Sequence, residues 1–175
     1  SDLASALTAS LAAPFFEELA KGVALAGLYL LHREEIDGLL DGVIYGAVIG
    51  LGFAWFENIT YYVQVAPEGP VAMVRLAWAR GVVSGLGSHA MFTAWTGVGV
   101  ALLRVGRSGW VRWLAPPTFL GLAMALHFAW NTFAGLLVGM VGEDDGALWL
   151  GVPLAAAVLQ APFVLLVGVV VRRGE

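Results

Sequence analysis

Long apolar runs separated by short polar turns dominate the chain, and they define its architecture before any single residue is considered. A membrane-spanning helix needs about 20 consecutive apolar residues, and five stretches qualify. The first runs from about Leu3 to Leu31 and is interrupted by Pro14; the second, about Gly38 to Val65, follows a polar turn at residues 32–37. The third covers about Val82 to Leu103, and the shorter stretch before it, Val71 to Arg80, reads as an interfacial helix. The fourth, about Val111 to Val141, carries Pro116 and Pro117 near its start. The fifth, about Gly146 to Val171, carries Pro153 and Pro162 as candidate kinks. No stretch alternates with period two, which argues against a barrel. The pattern predicts an all-α, polytopic transmembrane helix bundle: about five spanning helices and one short interfacial helix, in a single domain over residues 1–175.

Composition agrees. The chain is 59% hydrophobic and 13% charged, with mean hydropathy +0.83, whereas a soluble domain is nearer half apolar and a quarter charged. Its 23 glycines suit close helix packing in lipid. The absence of cysteine excludes disulfides, thiolate nucleophiles and thiolate metal sites. A net charge of −4 without a basic run excludes nucleic acid as a partner. The chain opens Ser1-Asp2 with no methionine and no basic region before its first apolar run, unlike a signal peptide. It reads as a core trimmed at its N-terminus.

The arginines give an orientation. Arg33, Arg104, Arg107, Arg112, Arg172 and Arg173 fall at one end of the predicted bundle, while Glu68, Glu143, Asp144 and Asp145 share the other with Arg75 and Arg80. Positive charge stays in the cytoplasm, so the expected multi-pass protein has a cytoplasmic C-terminus in a prokaryotic cell membrane.

Against this background a few ionisable residues stand out: Glu17 with Glu18, Glu57, His89 and His127, each group in a different apolar run. Burying charge in a bilayer costs several kcal/mol, so such residues usually face a bundle interior and mark function. Counted at 1.5 Å per residue, Glu57 lies roughly 12 Å, His89 roughly 10 Å and His127 roughly 20 Å in from the outer face. Glu17 and Glu18 reach a matching depth of roughly 21 Å only if the first helix begins near Leu3. The expected site therefore leans outward.

Glu17 and Lys21, four apart, share a helix face and can pair, while Glu18 is turned by about 100° and can point elsewhere. Neighbouring carboxylates in a low dielectric suit a general base. Glu57 is a candidate metal ligand or second acid, and Asn58 beside it a donor that can position water or substrate. His89 and His127 lie within reach of carboxylates from other helices, and Asn131 shares the His127 face. Two imidazoles and one carboxylate form a tripod suited to Zn²⁺ with a position left for water. A neighbouring Glu would take that water's proton, and Asn131 would hold an oxyanion.

Glu17-Glu18-x-x-Lys21, Phe53-x-x-x-Glu57-Asn58, the helix histidine His89 and His127-x-x-Trp130-Asn131 together resemble the motifs of the PrsW intramembrane proteases. That family is related to the CAAX prenyl endopeptidase and bacteriocin-processing group, which carries Arg in the first motif and His in the second; Lys21 and Glu57 favour the PrsW branch. The resemblance runs from Pro14 to about Asn131 and implies a membrane-embedded metalloprotease, with a metal-free, glutamate-activated water as the alternative mechanism considered in the related group. It implies Glu17 and Glu18 as base candidates, with Glu57, His89 and His127 as ligand or acid candidates. It also implies a single-span membrane protein or membrane-anchored peptide as substrate, with site-1 cleavage of an anti-sigma factor as the associated task. Two other classes bury Glu and His in helices: a transporter or proton relay, and a non-catalytic membrane scaffold. The first predicts flux without peptide products. The second is disfavoured by the intact motifs.

Overall fold

Each apolar run becomes a helix, and the polar turns become its ends. The computed structural model describes residues 11–83, 85–141, 149 and 152–173, and among them every element is helical. Helix α1 is Ala13–His32, α2 Leu39–Val65, α3 Pro70–Leu76, α4 Gly85–Val105, α5 Gly109–Val141 and α6 Val152–Arg173. A π-helical turn, Ala77–Val83, joins α3 towards α4. Pro14 and Pro70 open their helices, where a missing N–H leaves no hydrogen bond unmade. Pro116, Pro117 and Pro162 lie inside helices. The predicted start of the first run at Leu3 and the acidic residues Glu143, Asp144 and Asp145 lie outside the described residues. By length and composition, one helix among the described residues, Leu39–Glu68, is apolar enough to cross a membrane.

Helix α4 is the hub. Met91, Phe92, Ala94, Val98, Val100 and Ala101 are all buried, and with Thr93 and Thr96 they leave it almost no exposed face. A helix apolar on every side belongs at the centre of a bundle, and α1, α2, α5 and α6 all pack against it.

The closest packing is between α2 and α4. Gly42, Gly46 and Gly50 recur every fourth residue on one face of α2 and lie on the α4 backbone at Gly97, Thr93 and His89 respectively. Each pair of numbers has the same sum, so the two helices run antiparallel in a fixed register. A methyl at Gly50 would lie 2.7 Å from the carbonyl carbon of His89, so only hydrogen fits there. Small residues at such a contact let the two backbones approach closely, and that close approach supplies the packing attraction. Ala54 and Asn58, both buried, continue the same face. Glu57 lies about two turns beyond Gly50, and its side chain reaches back to His89 Nε2 at 3.0 Å.

Beyond α2 the chain reverses at Gly69, whose φ of +98° is open to glycine and strained for other residues. Its N–H donates to the Ala66 carbonyl and closes the turn. This reversal carries α3 and the π-turn back alongside the end of α2.

Candidate functional site

Helix α1 supplies two carboxylates and an ammonium. Glu18 is fully buried and Lys21 nearly so, while Glu17 is half-buried. Lys21 Nζ lies 2.7 Å from Glu18 Oε1 and 3.7 Å from Glu17 Oε2. The pairing of Lys21 with Glu17 expected from spacing is present at 3.7 Å, and a shorter contact to Glu18 joins it. Residues three and four apart are both neighbours on a helix, and burial decides between them, because an ionised pair removed from water must be closely matched. The ammonium is also 4.0 Å from the centre of the Phe53 ring on α2, a cation–π contact.

His89 of α4 and His127 of α5 complete the cluster, their ring centres 5.0 Å apart. Phe92 stacks on His127 at 4.8 Å and fixes its plane. His89 Nδ1 lies 3.0 Å from Lys21 Nζ, and its Nε2 lies 3.0 Å from Glu57 Oε2. An ammonium only donates and a carboxylate only accepts. The network therefore assigns the His89 proton to Nε2 and a lone pair to Nδ1. His127 Nδ1 lies 2.9 Å from Glu18 Oε1, which accepts its proton, and Nε2 turns towards Glu17 Oε2 at 3.9 Å. Each imidazole thus has one carboxylate behind it; the other nitrogen of His127 turns to Glu17, and that of His89 accepts from Lys21.

Glu17 and the two imidazoles form the group that can hold a metal. One ligand atom from each of Glu17, His89 and His127 lies within 4.8 Å of the other two. Two imidazoles and a carboxylate match a zinc donor set, and Glu17 Oε2 is buried with no hydrogen-bond partner among the described residues. The donor types suit a divalent metal, which His89 would join once Lys21 gives up the Nδ1 lone pair that it holds at 3.0 Å. Glu57, expected as a ligand, lies outside this group: Arg80 Nη2 approaches its Oε2 to 2.6 Å while His89 occupies the same oxygen. That is the orienting position which carboxylates take behind metal-bound histidines.

The remaining expected residues fall around the cluster. Asn58 is buried, and its Oδ1 accepts a 3.0 Å hydrogen bond from Arg80 Nε. Asn131 lies on α5 one turn beyond His127, partly buried. Glu18 Oε2, like Glu17 Oε2, is buried without a hydrogen-bond partner among the described residues. Helix α6 contributes none of these groups.

Arg80 is the residue that sequence reasoning missed. It was counted as a charge at the outer helix ends, yet from the π-turn it binds Glu57 and Asn58 and lies 3.8 Å from the Tyr61 ring centre. Single π-turns are frequent at functional sites because they re-aim a side chain within a helix. The available signal was an arginine flanked by Trp78 and Val82 in an otherwise apolar stretch, close to an acid that needed a partner.

Comparison with known proteins agrees with this geometry. The model of the PrsW family intramembrane metalloproteases matches residues 1–167. The protein named Protease PrsW from Geobacillus kaustophilus (strain HTA426) is 32% identical over 88 residues, which cover 50% of this chain. The match spans 35% of that relative's length. No solved structure matches significantly.

Proposed function

The chain belongs to the PrsW family of intramembrane metalloproteases, and from that premise we propose that it hydrolyses peptide bonds in membrane-anchored proteins at the Glu17, Glu18, His89 and His127 cluster. The observation that carries this reading is the convergence of Glu17, His89 and His127 beside a fully buried Glu18 whose Oε2 is without a partner. Glu18 acts as the general base: Oε2 takes a proton from the attacking water and later returns it to the leaving amine. His127 holds Glu18 in place through Oε1. Lys21 neutralises it on the same oxygen and leaves Oε2 free.

Glu17, His89 and His127 would hold the metal, zinc by the chemistry of the donor set, and it would polarise water and the scissile carbonyl as a Lewis acid. Glu57, fixed by Arg80, sets the ring orientation of His89. Asn131 and Asn58 are the side-chain amides that would donate to the developing oxyanion.

We read residues 1–175 as one transmembrane domain in which α1, α2, α4, α5 and α6 span the bilayer. The shortest, α1, has 20 residues, about 30 Å of helix against a hydrocarbon core of about 30 Å. Large apolar side chains exposed around the outside, including Val23, Leu30, Trp55, Phe56, Val164 and Leu165, form a surface suited to lipid. Arg33, Arg104 and Arg112 gather at the end opposite the site, with Trp110 and Trp113 exposed beside them. The tryptophans suit a membrane–water interface on either side, and the arginines make this one cytoplasmic. The site then leans outward, suited to site-1 cleavage of a single-span anti-sigma factor.

The test is cleavage of a single-span reporter by the full-length protein in liposomes, with products identified by mass. Glu18→Gln, His89→Ala and His127→Ala each remove cleavage while the helical circular dichroism stays native. Cleavage retained by all three variants would overturn the assignment.

A further inference from the structure

A second feature lies away from the catalytic cluster. Helices α1 and α5 diverge towards the arginine-rich end and leave a lateral groove of about 680 Å³ floored by α4. On α1 its wall is Leu19, Val23, Ala26 and Leu30, a different face from Glu18, Lys21 and Leu25. The groove narrows where Gly22 meets Leu120, 3.3 Å from the place a methyl would occupy. At its open end lie Arg112 and the highly exposed Trp113.

Length selects the occupant. From Leu30 to Leu19 the wall rises about 16 Å, and from Arg112 to Leu120 about 12 Å. One leaflet of a 30 Å hydrocarbon core is about 15 Å deep. A spanning helix would need a groove twice as long, whereas an acyl chain needs one of this length. Charge selects the headgroup. Arg112 uses Nε and Nη2 on the carbonyls of Gly106 and Arg104, which leaves three of its five N–H groups for another acceptor. Arg104 and the exposed Arg107 lie at the same end. Basic clusters between helices at the cytoplasmic boundary recognise anionic headgroups.

We propose that this groove binds one anionic phospholipid, an acyl chain against Val23, Ala26 and Leu120 and the phosphate at Arg112. The proposal rests on the bilayer placement above and not on the protease chemistry, so its test reads lipid retention rather than cleavage. The full-length protein is released from nanodiscs of equimolar phosphatidylglycerol and phosphatidylcholine, and retained lipids are counted by native mass spectrometry.

Phosphatidylglycerol is expected to be retained about fivefold over phosphatidylcholine for each arginine engaged. Arg112→Gln lowers that preference about fivefold. Ala26→Phe, which fills the groove without touching the arginines, removes retention of both lipids. Equal retention of the two lipids, or retention unchanged in Ala26→Phe, refutes the site. Displacement by inorganic phosphate alone refutes the acyl chain as the anchor. Replacement by a single-span peptide would make the occupant a helix and also overturn the proposal.

Discussion

Replacing Gly50 by alanine tests whether the α2–α4 register builds the catalytic cluster. The new methyl carbon would lie 2.7 Å from the His89 carbonyl carbon and 2.8 Å from Ala90 Cα. Carbon atoms in good contact are about 3.5–4.0 Å apart, so the helices must separate by about 1 Å at the level of His89. Backbone atoms cannot rotate away as a side-chain end would, so the shift passes to the His89 ring. That ring's bonds to Lys21 and Glu57 are each 3.0 Å and have no slack. Metal ligand distances tolerate only about 0.2 Å, and a misplacement of about 1 Å can cost about 100-fold in rate. Gly50→Ala should therefore lower kcat/KM on a single-span reporter about 100-fold, and overpacking should cost about 1–3 kcal/mol of stability. Gly52→Ala is the control, because a methyl there meets nothing within 4 Å; it should cleave at the wild-type rate. Should Gly50→Ala cleave as fast as Gly52→Ala, the register does not position His89 and the reasoning fails.

Three further outcomes follow from the cluster. Elemental analysis should show metal lost from Glu17→Gln and His127→Ala; Glu57→Gln should retain it with affinity weakened about 10–100-fold, the usual effect of losing an orienting partner. Arg80→Ala should reduce cleavage about tenfold or more by releasing Glu57 from His89, and Arg80→Lys should restore only part, because one ammonium cannot reproduce the forked contact to Glu57 and Asn58; full activity in Arg80→Ala would exclude the role. Lys21→Met leaves Glu18 buried without its ammonium and should cost about 3–5 kcal/mol, read as thermal unfolding in detergent. Adding Glu18→Gln to Lys21→Met should recover part of that loss, and strict additivity of the two would deny the pairing.

The helices were legible because lipid imposes a simple demand: about 20 apolar residues, polar turns between them, and no exception without a reason. The described helices α1 to α5 follow the predicted runs closely, and the interfacial stretch before the third run became α3 and its π-turn. The site residues were legible for the same reason, since Glu18, His89 and His127 are costly in apolar runs unless they meet. What the runs could not convey is which acid meets which imidazole. That depends on rotation and sliding between helices, and spacing within one helix does not determine either. Spacing within α1 pairs Lys21 with Glu17, which it meets at 3.7 Å, but does not reveal the shorter contact to Glu18 or that Glu57 lies behind His89. Arg80 was hidden for a related reason: near a helix end, a charge that serves topology and one that serves a buried acid look alike. Yet the register was written in the chain. Gly42, Gly46, Gly50, Ala54 and Asn58 form one four-residue repeat, and only a flush contact with a neighbouring backbone explains so many small residues on one face. An acid beside such a repeat, as Glu57 is beside Asn58, is held at the edge of the helix contact. There it meets a side chain that the partner helix sends along the seam, in this protein that of His89.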